Sequence, residues 1–247
     1  LLNAVGGIEN LYHKNGKEEV TNYNDRAECT LQAVGGLFDV NTENVAFQNY
    51  FINYMNECIA CGADGFRFDT AKHIGLPDDP VEDASMPNTF WTNVLSKLDN
   101  KENLFIYGEV LQDGGERIAD YIDTLGAATA SSYGYTIRGA LRSGNLSAGN
   151  LTNYQIGSAT PNIVTWVESH DNYTGDDATY STITNEDIIL GWTVLAAQKT
   201  GTPLFFPRPY NAFADSMWGS FNKIGMSGDY LYKNNAIVAA NRFRNAM

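Results

Sequence analysis

The stretch Gly62-Ala63-Asp64-Gly65-Phe66-Arg67-Phe68-Asp69-Thr70-Ala71-Lys72-His73 decides how this chain folds. Phe66 and Phe68 alternate with Arg67 and Asp69, the period of a short strand whose two faces carry different chemistry. The alternation predicts that both phenylalanines pack outward against helices while Arg67 and Asp69 point inward together. A nearby guanidinium favours the charged form of a carboxylate, and a fixed, ionised carboxylate suits a nucleophile. Taken alone, the strand supports a structural Arg–Asp pair equally well.

Two further strand ends break that tie. Leu104-Phe105-Ile106-Tyr107-Gly108-Glu109-Val110 is an apolar run closing on Glu109, and Ile163-Val164-Thr165-Trp166-Val167-Glu168-Ser169-His170-Asp171 closes on His170 and Asp171. An isolated Glu109 would read as a solvated residue at a strand edge. Successive apolar strands that each end in a carboxylate are what a catalytic rim at the C-terminal ends of parallel strands requires.

Strand and helix periods alternate around these runs. Strands are predicted over 62–69, 104–110, 163–171 and 202–208, with a weaker one over 127–131. Helices are predicted over 44–61, where Phe47, Tyr50, Phe51, Tyr54, Met55 and Ile59 share a face, and near 88–99, 115–124, 185–199 and 234–245. Segments through 157 read as helical or irregular. Thr42 is the expected cap of the first of these helices. Residues 1 to about 40 are polar and broken by Gly6-Gly7, Asn15-Gly16 and Gly35-Gly36, with no helix or strand period of any length. The alternation argues for a parallel sheet covered by helices. An open doubly wound sheet satisfies the same pattern, but the glycine-rich phosphate fingerprint of nucleotide-binding sheets is missing.

Composition bounds the remaining classes. A chain of 247 residues with 43% hydrophobic residues has an ordinary core and room for one large or two small domains. A net charge of −13 argues against nucleic acid as a partner, because phosphate backbones need clustered Lys and Arg. No apolar run reaches the roughly 18 residues of a membrane span. The chain opens at Leu1 with no visible secretion leader. Cys58 and Cys61 form an isolated CxxC, weak evidence for zinc or redox chemistry, so the thiols, with Cys29, are read as buried. His13 is read as an exposed loop residue. Trp91 and Trp192 are read as core; Tyr107, Trp166 and Tyr173, near strand ends, are candidates to line a groove. Three Asn-X-Ser/Thr triplets, at Asn145, Asn150 and Asn172, are read as chance.

The set resembles the α-amylase family, glycoside hydrolase family 13. Gly65 to His73 is similar to the family's second signature segment, Gly108-Glu109-Val110 to the third and Glu168-Ser169-His170-Asp171 to the fourth. Gly75-Leu76-Pro77-Asp78-Asp79, the run from Tyr107 to Asp113 and Thr202-Pro203-Leu204-Phe205-Phe206 are closest in wording to secreted bacterial α-amylases of the Bacillus subtilis type. The resemblance implies an α/β fold, an incomplete (β/α)8 TIM barrel holding the fourth to eighth strand–helix units. Residues 1–41 would be the remnant of a small irregular domain inserted after the third barrel strand, and 42–247 the C-terminal part of the catalytic barrel. The family's first signature segment and its C-terminal antiparallel domain have no counterpart here. The chain therefore reads as an internal fragment, and in isolation it is expected to be inactive and to aggregate through exposed strand edges.

By the same resemblance Asp69 is the nucleophile, Glu109 the acid/base and Asp171 a third carboxylate that holds sugar hydroxyls. Crowding by the other two carboxylates is expected to raise the Glu109 pKa. Arg67, Lys72, His73 and His170 are implied substrate contacts. Asp39, in Gly36-Leu37-Phe38-Asp39-Val40-Asn41, and the backbone carbonyl of His73 are implied ligands of a structural calcium. The implied activity is retaining, endo-acting cleavage of internal α-1,4 links in starch-like glucans. The runner-up is a related transglycosylase or oligo-glucosidase, and behind it a non-catalytic glucan-binding protein. Secretion from a bacterium and a monomeric state complete the expectations.

Overall fold

A computed structural model of the chain describes residues 1–112, 116–154, 162–210 and 225–247. The expected elements that reach residues 113, 115 and 157 lie outside the described residues at those points. The chain forms two compact units, Leu1–Thr129 and Ala130–Met247.

The first unit begins with a short helix α1 (Leu2–Val5), a 3-10 turn (Ile8–Asn10) and α2 (Arg26–Leu31). The opening region thus carries short helices where the sequence shows no period, because each lasts only about a turn. Then follow α3 (Val45–Ala60), β1 (Gly65–Phe68), α4 (Phe90–Ser96), β2 (Phe105–Gly108), α5 (Ile118–Leu125) and β3 (Ala128–Thr129). β1 pairs parallel with β2 from Gly65↔Phe105 to Phe68↔Gly108, and β2 pairs parallel with β3 at Gly108↔Ala128. Asn44, not Thr42, caps α3: its Oδ1 accepts from the amides of Ala46 (3.0 Å) and Phe47 (3.4 Å). Thr42 instead accepts from Gln48 Nε2 through its carbonyl.

Two glycines allow this sheet to close up. A Cβ on Gly65 would stand 2.0 Å from the Phe105 carbonyl oxygen, and one on Gly108 would stand 2.5 Å from Leu125 Cδ1. Phe68 packs outward as the alternation requires, 5.1 Å from the Trp91 ring and 6.3 Å from Phe51. Trp91, Phe90, Tyr121 and Val94 complete that core. Of the thiols only Cys29 is buried; Cys58 is half-buried on α3, and Cys61 is exposed where the helix ends.

The second unit holds α6 (Ser131–Ser143), α7 (Ala148–Thr152), β4 (Ile163–Thr165), α8 (His170–Thr174), α9 (Thr179–Thr182), α10 (Asn185–Ala197), β5 (Thr202–Pro203) and α11 (Asn235–Ala246). β4 and β5 pair parallel from Val164↔Thr202 to Thr165↔Pro203. The expected strand over 163–171 stops at Thr165, and His170 and Asp171 open a helix instead. Ser169 is the reason: its Oγ accepts from the Asn172 amide, and serine at this position favours a helix start. The strand expected over 202–208 also shortens. Pro203 and Pro207 lack the N–H that a ladder needs.

Trp192 anchors the core between α10 and α11 with Ala196, Ile237 and Ala240. Its Nε1 donates to Asn241 Oδ1 (2.8 Å). Tyr173 is also core, buried beside Phe206 and Tyr180. Trp166 is half-buried and donates to Asn172 Oδ1 (2.8 Å). Among the described residues no helix is long and apolar enough to cross a membrane.

Candidate active site

The parallel pairing of β1 with β2 sets the first part of the site. Where the strands end, the Glu109 amide donates to the Phe68 carbonyl (2.8 Å) and the Ala71 amide to the Glu109 carbonyl (2.9 Å). These bonds carry the ladder past both strand ends and bring Asp69 and Glu109 side by side. Arg67 forms an ion pair with Asp69, and its Nη2 lies 3.0 Å from Glu109 Oε1. The Asp69 side chain is 69% exposed and that of Glu109 only 13%. One carboxylate thus faces solvent while its neighbour is withdrawn.

That asymmetry separates the two groups chemically. Burial raises the Glu109 pKa above the ordinary carboxylate range, and the adjacent Asp69 carboxylate raises it further. The Thr70 amide and Arg67 pull the other way without reversing the shift. Removal from water, rather than the expected crowding by carboxylates, is therefore the largest cause. Arg67 is itself shifted upward: burial opposes its charge, and Glu109 and Asp69 outweigh burial. Tyr107, half-buried on β2, is shifted upward by burial.

Thr70 follows Asp69 in the left-handed region, at φ 45° and ψ 36°. Its amide donates to Glu109 Oε2 (3.1 Å). The next residues form a buried 3-10 turn, Ala71–His73. Lys72 is buried, with Nζ 4.6 Å from the Tyr23 ring centroid and 3.5 Å from the Leu111 carbonyl. His73 is buried as well, with Nδ1 2.7 Å from the Cys29 carbonyl. A polar network that the sequence did not announce fixes this turn. The Lys72 carbonyl accepts from Arg26 Nη1 (3.2 Å) and from the Tyr121 hydroxyl (3.0 Å). Buried Asp79 in turn receives Arg26 Nη2 (2.6 Å) and Arg117 Nη1 (2.9 Å). Although burial favours its neutral acid, these cations and the Leu76 amide hold Asp79 below the usual carboxylate range.

His13 is not an exposed loop residue. It is buried, with Nδ1 2.5 Å from Asp39 Oδ2 and Nε2 2.5 Å from Glu43 Oε2. Burial opposes its charge, yet bonds to Asp39 and Glu43 push its pKa up to about 9. Burial also pushes Asp39 up to about 6, against the pull of His13. His13 is the imidazolium, because acceptors on both ring nitrogens need a proton on each. His13→Ala strands two buried carboxylates and is expected to cost about 3 kcal/mol, read from urea unfolding. The His13 pKa is raised from 6.5, so the wild-type contribution is full below that pH and is lost as pH rises through about 9. A urea midpoint unchanged by the substitution would contradict the clamp.

Asp39 is also one of the two implied calcium ligands. Calcium takes about six to eight oxygens. One Asp39 oxygen is bonded to His13, and among the described residues no group of three or more His, Cys, Asp or Glu is suited to hold a metal ion. Asp39 and His73 do not compose a calcium site by themselves.

In the second unit His170 and Asp171 occupy the first turn of α8. Both side chains are more than half exposed, with His170 Nε2 3.4 Å from Asp171 Oδ1. Behind them Glu168 is buried and takes a bidentate grip from Arg208, at 2.6 and 2.8 Å. Glu168 opens the segment similar to the fourth signature, yet neither it nor Arg208, which lies between prolines, carried a predicted role.

Parallel strands joined by helices, with an Arg–Asp–Glu constellation where the strands end, make an α/β domain of the class that gathers polar groups on one rim. Comparison agrees. Residues 11–184 match the family model described as alpha amylase, catalytic domain. The chain is 45% identical over 271 residues to an alpha-amylase of Butyrivibrio fibrisolvens, covering 100% of this chain and 28% of that protein. It is 38% identical over 239 residues to an alpha-amylase of Clostridium acetobutylicum, covering 96% of this chain and 29% of that protein. Alpha-amylase I of Eisenia fetida, solved with maltohexaose, superimposes with a TM-score of 0.71 at 19% identity over 96% of this chain and 53% of that one. The chain belongs to the alpha-amylase family of glycoside hydrolases. Its fold is that of an incomplete (β/α)8 barrel, as the sequence predicts. It spans less than a third of the length of these curated relatives.

Proposed function

We propose that this chain carries the catalytic carboxyl groups of an endo-acting α-amylase that cleaves internal α-1,4 links of starch-like glucans with retention. The observation that carries the reading is the Arg67–Asp69–Glu109 constellation, an exposed carboxylate beside a withdrawn one with a raised pKa. A retaining glycosidase needs one carboxylate as nucleophile and one carboxylic acid as proton donor, close enough to exclude an inverting water. Both carboxylates pair with the one Arg67 guanidinium, which keeps them close together.

Asp69 attacks the anomeric carbon while Glu109 protonates the departing glycosidic oxygen. A covalent glucosyl–enzyme intermediate forms, and Glu109, now a carboxylate, takes a proton from the incoming water. Two inversions leave the α configuration unchanged. Arg67 orients Asp69 and holds Glu109 through its other edge. From their places in the matched segments, Asp171 holds sugar hydroxyls near the cleaved bond and His170 donates to them, while Lys72 and His73 sit on the leaving-group side. Residues 1–41 are the remainder of the inserted domain. The Butyrivibrio fibrisolvens and Clostridium acetobutylicum relatives are alpha-amylases; we further assign this protein as secreted from a bacterium, monomeric and acting on α-glucans.

The test is digestion of soluble starch and of short maltooligosaccharides by the complete enzyme, with NMR of the first product. Internal cuts and an α-anomeric product are expected. Transfer products in place of hydrolysis favour the transglycosylase reading, and a β-anomeric product rules out retention. The raised Glu109 pKa also sets a pH expectation. The acid form persists above the ordinary carboxylate range, so kcat is expected to decline on the alkaline side as Glu109 loses its proton. An alkaline limb that survives Glu109→Gln would assign it to another group.

A further inference from the structure

Thr70 is a β-branched residue held at φ 45°, a backbone region that such residues adopt only under constraint. Its side chain was assigned no part by the sequence. The consequence of its conformation lies in its amide. After Asp69 the chain turns sharply, and the Thr70 N–H points at Glu109 Oε2, 3.1 Å away. The other oxygen of the same carboxyl, Oε1, faces Arg67 Nη2 at 3.0 Å. Each oxygen of Glu109 therefore has its own donor, one from the residue before Asp69's neighbour Phe68 and one from the residue after Asp69.

We propose that Thr70 is a positioning residue for Glu109: its left-handed backbone aims the 70 amide at Oε2, so that Arg67 and Thr70 hold the carboxyl plane across Asp69. This deepens the acid/base reading of Glu109 and rests on it for its catalytic meaning.

The geometry has a chemical corollary. When Glu109 is ionised both donors are satisfied, whereas a proton on Oε2 weakens that oxygen as an acceptor for the Thr70 amide. Proton loss and capture at Glu109 are thus coupled to tightening and loosening of one backbone hydrogen bond. A charged hydrogen bond is also the stronger kind, so the amide favours the carboxylate that must activate water in the second half of the reaction. It works against burial, which favours the acid needed in the first half. Among the described residues the charged or titratable groups that face Glu109 include Arg67 from β1, Asp69 just past its end and Tyr107 from β2. A side chain at position 70 is not what the role requires; the N–H is.

The experiment is a pH titration by NMR of the complete, isotope-labelled protein. The Thr70 amide proton is expected to shift with an inflection that coincides with that of the Glu109 carboxyl carbon, and Glu109→Gln is expected to abolish that inflection. An inflection at Thr70 that persists in Glu109→Gln, or none in the wild type, overturns the proposal. Replacing the 69–70 amide by an ester removes only the N–H donor. It is expected to raise the Glu109 midpoint and to lower kcat about tenfold with KM unchanged. An ester variant with the wild-type midpoint also overturns it. Coincident inflections in a protein that cleaves no glucan would uphold the positioning role and refute the acid/base reading, so the two fail separately.

Discussion

Glu109→Gln is expected to lower kcat on starch about 10²- to 10⁴-fold while leaving glucan binding near its wild-type strength. The amide is close in shape to the carboxyl and can still face Arg67 and the Thr70 amide. What it cannot do is give a proton to the leaving oxygen or take one from water. Because the effect falls on proton transfer, it should be milder for glucosyl fluoride substrates, whose leaving group needs no acid. Turnover of that substrate by the variant, followed by a stalled second step, is the diagnostic pattern. Unchanged starch hydrolysis would remove Glu109 from the reaction, and the constellation with Arg67 and Asp69 would revert to a structural ion pair.

Arg208→Met is expected to destabilise the protein by about 3–5 kcal/mol, the usual result of removing one partner from a buried pair. Arg208 and Glu168 side chains are only 1% and 2% exposed. Arg208 Nη2 additionally donates to the carbonyls of Thr179 (2.8 Å) and Ile183 (2.9 Å), so one guanidinium ties three segments of the second unit. Loss of Arg208 leaves the buried Glu168 carboxylate without its paired guanidinium. Pairing the change with Glu168→Leu should recover much of the loss, since the uncompensated charge disappears with it. Urea unfolding of the two single variants and the double variant gives the coupling directly. A single-variant loss below about 1 kcal/mol would mean the pair is solvated in solution.

The outward Phe68, the strands at 65–68 and 105–108, the long helix ending at Ala60 and the core positions of Trp91 and Trp192 were all legible in the sequence. Each depends on a period or a residue size visible over a few neighbours. The misreadings have local causes too. The apolar run from 163 continues past the strand, because burial and strand conformation share a signature; only the Ser169 cap marks the change. His13 looks like a loop histidine until Asp39 and Glu43 arrive from 26 and 30 residues away.

By itself the order of residues placed Asp69 and Glu109 at strand ends and settled which family the chain belongs to, since alternation and signature segments are properties of short stretches. Tertiary structure alone decided which of those groups leaves water, which cation each buried acid meets, and where the backbone is forced left-handed to aim a donor. Burial and charge pairing are sums over neighbours brought from distant positions, such as Arg208 and Glu168, 40 residues apart, and no local pattern encodes that sum.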